Sequence, residues 1–129
     1  MNRHVTTPEG VHDLEASLLF GWWCDFERIA DGGDHVTIPF GRAKRGRARL
    51  VVMESAPDSN ELELVVHGAI GLELEHRGDH PGSQSVRKIE WDDERKRLVI
   101  KGGSRSTCKV NASRLDLRLR NRPADSRAR

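Results

Sequence analysis

The sequence predicts an all-β domain, an antiparallel sandwich or barrel of about eight strands. Two observations predict it. Apolar residues recur at every second position through most of the chain, the period of a strand with one buried face, whereas a helix repeats every 3.6 residues. Clusters rich in Gly, Pro, Asp and Asn then punctuate these runs at the spacing of strand-to-strand turns. Nothing between the runs is suited to a helical crossover, which argues against a parallel α/β sheet.

The alternation is cleanest from Glu61 to His76. Leu62, Leu64, Val66, Gly68, Ile70, Leu72 and Leu74 hold one parity, and Glu61, Glu63, His67, Glu73 and Glu75 hold the other. A hairpin at His67-Gly68-Ala69 would ordinarily break that phase, so the pattern predicts one long strand, bent at Gly68 and Gly71 where side chains are lacking. Earlier in the chain, Leu14, Ala16, Leu18, Phe20, Trp22, Cys24 and Phe26 share a parity against Asp13, Glu15, Ser17, Asp25 and Glu27. That predicts a strand. A helix within residues 11–30 is the alternative, because Leu14, Leu18, Trp22 and Phe26 also recur at i+4.

A turn at Ala30-Asp31-Gly32-Gly33-Asp34 precedes Val36, Ile38 and Phe40, and Ala48, Leu50 and Val52 form the next candidate strand before the turn at 56–60. Ile89 and Trp91, a polar turn at 92–96, and Leu98 and Ile100 read as a hairpin. Cys108, Val110 and Ala112 precede a last strand in which Leu115, Leu117 and Leu119 alternate with Arg114, Asp116, Arg118 and Arg120. The organisation expected is a flexible N-terminus over 1–10, a single β domain over 11–122 and a disordered tail over 123–129.

At 129 residues the chain can bury a core without staples. Its apolar runs are too short to cross a bilayer, and its first residues lack the order of a secretory signal, so a cytoplasmic location without membrane contact is expected. The two cysteines, Cys24 and Cys108, are expected as buried free thiols. The net charge of +2 conceals blocks: −5 over 1–34, +3 over 35–60, −4 over 61–85 and +8 over 86–129. Opposed blocks of this kind steer complementary surfaces together.

Candidate sites are few. Arg42, Lys44, Arg45, Arg47 and Arg49 put five cations into eight residues between glycines, a pattern suited to an anion, a phosphate backbone or an acidic protein surface. Aromatic residues for base stacking do not interleave with them in sequence. His76, Asp79 and His80 are metal-ligand types, but ligands from one short loop rarely close a coordination sphere, and no metal or other cofactor is expected. The glycine-containing stretch 101–107 lacks the spacing of a phosphate-binding loop. No nucleophile, base and orienting group form a named motif, so no catalytic residues are assigned and catalysis is not expected. Trp22 and Trp91 sit on apolar parities. Trp23 does not: on the polar parity beside Asp25 it is the candidate interface residue. The reading that follows is a non-catalytic β-domain acting through protein contacts and associating with itself, supported by Trp23, Val65 and Ala69 on otherwise polar faces. The alternatives are anion or nucleic-acid binding through 42–49 and a small-molecule-binding barrel.

Overall fold

Thr7, Pro8 and Glu9 start a helix where alternation had pointed to a strand. In the computed structural model, which describes residues 2–19, 21–42, 61–77, 82–103 and 105–122, α1 spans Pro8–Leu18. The Thr7 hydroxyl accepts from the Gly10 N–H at 3.1 Å, and proline occupies the first turn, where its missing N–H costs nothing. Val11, Leu14 and Leu18 form its buried stripe. The helical alternative therefore holds for the first part of the region, and the strand expected there is confined to β2, Trp22–Asp25. The sequence could not separate the two because Leu14, Leu18 and Trp22 satisfy both periods; the cap at Thr7 decides for helix. Residues 2–5, expected within a flexible lead-in, form β1, Asn2–Val5.

After β2 a 3₁₀ turn, Phe26–Arg28, leads to the short β3, Ala30–Asp31, and to β4, His35–Arg42. The strand expected around Ala48, Leu50 and Val52, the turn at 56–60 and the tail 123–129 lie outside the described residues. Then come β5, Glu61–His67; β6, Ala69–Glu75; β7, Ser83–Asp92; β8, Arg97–Gly102; β9, Thr107–Ala112; and β10, Leu117–Asn121. The fold is all-β and antiparallel, with ten strands in one sheet that does not close. Its order is β1-β10-β5-β4-β2-β7-β8-β9-β6, and β3 adds to β4.

Two features fold this sheet onto itself. Strand β7 pairs β2 through Ser83, Gln84 and Ser85, then passes to β8 from Val86 onward, so it serves both halves. The chain also crosses between halves at Gly68, which takes φ +70°, a conformation that side chains resist. The long strand expected over 61–76 is therefore two: β5 pairs β4 and β10, whereas β6 pairs β9. The expected bend at Gly68 is real, as is the absence of a hairpin, but the parity does slip. Ala69 turns inward opposite Ala112, a bulge leaves Ile70 without a partner on β9, and Leu72 resumes the inward phase opposite Val110.

One continuous core results, running from Val5 and Leu14 through Ile38, Leu64, Leu98 and Val110 to Leu119. Each large aliphatic side chain fully withdrawn from water there contributes roughly 1.5–3 kcal/mol. Helix α1 also lies along β7 past the end of β2, where the backbone would otherwise lose its ladder. There the Glu15 carboxylate accepts the Ile89 N–H at 2.9 Å, supplying a partner to a strand edge.

Candidate functional site

The described surface is most unusual along β6. An edge strand presents unpaired backbone groups to any chain that can align with them. Among the described residues β6 pairs with β9 alone. Its open stretch begins after Ala69, whose N–H is held by the Asp34 carbonyl at 3.0 Å. From there Ile70 is 71% exposed and Leu74 is 43% exposed. Leu74 stands opposite the buried Cys108 and so belongs to the inward row, yet the sheet ends beside it and leaves it uncovered. The carboxylate of Glu75 draws back toward β9, 3.4 Å from Lys109 Nζ, and Glu73 stands opposite the same lysine. A groove of about 300 Å³ runs beside this end of the strand, lined by Phe26, Glu27, Leu74, Glu75 and His76.

The expected site residues are distributed unevenly around this edge. His76 lines the groove, while Asp79 and His80 lie outside the described residues. Among the described residues no three His, Cys, Asp or Glu side chains converge on a position for a metal ion. Arg42 closes β4, and Lys44, Arg45, Arg47 and Arg49 lie outside the described residues. The register of β2 on β4 sets Trp22 opposite Arg42 and Trp23 opposite Gly41. The Arg42 guanidinium carbon sits 5.1 Å from the centre of the Trp22 ring, within cation–π range. Aromatic neighbours absent from the linear sequence are thus supplied by strand pairing where the basic run begins. Trp23 is 40% exposed on the outward row, as its parity predicted. Val65 and Ala69, expected to mark an interface, are instead buried within the chain.

A second cluster escaped the sequence reading altogether. Near the ends of β4, β5 and β10, His4 Nε2 meets Asp116 Oδ1 at 2.8 Å, and His35 Nδ1 meets Asp34 Oδ1 at 2.9 Å. His67 lies across from His35, its backbone N–H donating to the Asp116 carbonyl at 2.9 Å. The hydrogen bond from His4, aided by Arg114, holds the Asp116 carboxyl below its ordinary range, and the bond from His35 does the same for Asp34. Imidazole–carboxylate pairs orient a base, but catalysis also needs a nucleophile. Among the described residues neither imidazole is hydrogen-bonded to a hydroxyl or thiol. No short-range motif could have revealed this cluster, because His4 and Asp116 stand 112 residues apart.

Both cysteines are buried free thiols, as expected. Burial pushes the Cys108 thiol from 9.0 up to about 12, and it raises Cys24 well above the ordinary value, with smaller contributions from Cys108 and Asp25. Thiols raised in this way favour folding fully below pH 9.0, and that contribution is lost as pH climbs toward about 12. Alkylation at neutral pH should therefore be slowed about a hundredfold or more in the folded chain relative to the chain in denaturant, because the thiolate is the reacting form. Mass spectrometry of iodoacetamide-treated protein reads this directly. Rapid labelling of either cysteine under native conditions would contradict the burial.

No family model matches this chain, and neither a curated protein nor a solved structure matches it.

Proposed function

We propose that this protein is a non-catalytic β-domain that works through protein contacts and associates with itself. The observation that supports the reading most strongly is the open β6 edge, where Ile70 and Leu74 leave large apolar side chains in water beside a strand whose outer side has no partner among the described residues. Trp23 adds an aromatic anchor on the outward row, a residue type enriched at the energetic centres of interfaces. The alternating charge blocks of the sequence favour encounter between copies in complementary orientations.

Size-exclusion chromatography with light scattering over micromolar concentrations tests this. A mass rising above 14.5 kDa with concentration is expected. Trp23→Ala should weaken association if Trp23 anchors a contact, while leaving the melting temperature nearly unchanged because the side chain is partly exposed. A single species of monomer mass at every concentration overturns self-association.

Anion or nucleic-acid binding through Arg42 and the basic residues that follow is a second reading, favoured by Trp22 and Trp23 standing across from Arg42 and Gly41. Aromatic rings beside cations suit single strands, whose bases stack while the backbone is neutralised. Fluorescence anisotropy with a labelled single-stranded oligonucleotide decides it. Binding should be strong at low salt and fall steeply by about 200 mM. The small-molecule barrel draws less support, because the buried side chains of both sheet halves merge into one cluster.

A further inference from the structure

We infer that the β6 edge receives a second copy of itself, the two strands running antiparallel about a two-fold axis that passes through Leu72. The inference rests on the self-association reading and goes beyond it by naming the surface, the partner and the register. Natural edge strands are guarded by lysine, by proline, by inward charges or by a covering segment. From Ile70 to Glu75 the sequence is Ile-Gly-Leu-Glu-Leu-Glu, with neither proline nor lysine. Its charges engage the β9 side instead: Glu75 meets Lys109 at 3.4 Å, and Glu73 stands opposite Lys109 in the ladder.

The strand is complementary to its own reverse. With Leu72 on the axis, Ile70 lies opposite the partner's Leu74, and Leu74 lies opposite the partner's Ile70. Gly71 then faces the partner's Glu73, so each carboxylate meets the smallest residue and no acid opposes an acid. The two large apolar side chains most exposed on this strand, Ile70 and Leu74, cover one another across the axis. Neighbouring registers lose this match. An axis through Glu73 sets that carboxylate against its own copy, and like charges directly opposed are destabilising. An axis through Gly71 sends Leu74 opposite Gly68, where the chain has turned out of the strand at φ +70°. An axis between Leu72 and Glu73 sets Ile70 against Glu75. Closed two-fold pairing is also the commonest symmetry of homo-oligomers and leaves no further edge of this kind to propagate a fibre.

A contact of one short strand lies at the small end of interface sizes, so the dimer should be weak and concentration-dependent. The test uses the full chain in four preparations: wild type, Ile70→Lys, Leu74→Glu, and an equimolar mixture of the two variants. Sedimentation equilibrium should show the wild type moving from 14.5 kDa toward twice that mass as concentration rises. Each variant alone should dissociate about tenfold more readily, since it sets two unpaired charges against apolar side chains. The mixture should recover the dimer. In the mixed pair the introduced lysine meets the introduced glutamate on one side of the axis, and the native leucine meets the native isoleucine on the other. Melting curves monitor folding of the variants, and amide exchange of residues 70–75 in the wild type, slowing as concentration rises, reads the same interface without substitution. Variants that associate like the wild type, or a mixture that fails to recover, overturn this interface and leave self-association standing. A wild type that stays monomeric overturns both.

Discussion

Leu14→Ala is expected to destabilise the folded chain by about 2–5 kcal/mol, the largest single effect anticipated for a side-chain truncation here. Leu14 is fully buried on the inward stripe of α1, between Val11 and Leu18, and belongs to the same cluster as the strand residues of both sheet halves. Removing its isobutyl group exposes no polar atom. It leaves a void that close-packed neighbours fill only in part, and the lost contacts add to the lost transfer energy. At this chain length the midpoint of thermal unfolding should fall by roughly 10–20 °C. Glu9→Gln on the exposed side of the same helix should change it by about 1 °C, since a surface charge in a first turn contributes only tenths of a kcal/mol. The comparison also tests the secondary structure. A strand through Leu14 would place Glu15 on the opposite face, whereas in the helix Glu15 reaches the Ile89 N–H at 2.9 Å. A small effect of Leu14→Ala would show that α1 does not plug the core as described.

Gly68→Val should destabilise by about 1–3 kcal/mol through the backbone alone. A Cβ at this position would meet only the Ser113 hydroxyl, at 3.4 Å, so space is not the obstacle. The obstacle is φ +70°, where a β-branched residue is strongly disfavoured. Asparagine tolerates the left-handed region better, so Gly68→Asn should lose distinctly less than Gly68→Val in urea unfolding. Equal losses would point to packing instead of backbone strain. The position matters because it is the corner where the chain leaves β5 for β6, and the Ser113 N–H binds the Gly68 carbonyl at 3.3 Å to hold it. Relaxing the corner would shift the open edge as well, which links this stability effect to the proposed contact surface.

How far the sequence could be read depended on how far apart the deciding partners lie. The hairpin of Ile89 and Trp91 with Leu98 and Ile100 was legible because both strands and their turn fall within one short window; the structure pairs Ile89 with Ile100 and Trp91 with Leu98. The outward position of Trp23 was legible for the same reason, since parity is a local property. The helix at Pro8–Leu18 was legible in its cap, Thr7-Pro8-Glu9, and obscured by side chains that fit two periods at once. Nothing local distinguished Val65, which interrupts a polar row and is nevertheless buried. Its strand lies between β4 and β10, so what covers a row depends on neighbours drawn from distant parts of the chain.

Composition and alternation by themselves determined an antiparallel β architecture with an unstapled core and two thiols inside it, because side chains on successive residues of an extended backbone must face opposite ways. Tertiary structure alone decided which strands stand at the edge, how Trp22 comes to lie beside Arg42, and that His4 meets Asp116. The reason is geometric. Parity assigns a residue to a face, whereas exposure and partnership on that face are set by strand order, which is a relation between segments and is written in none of them singly.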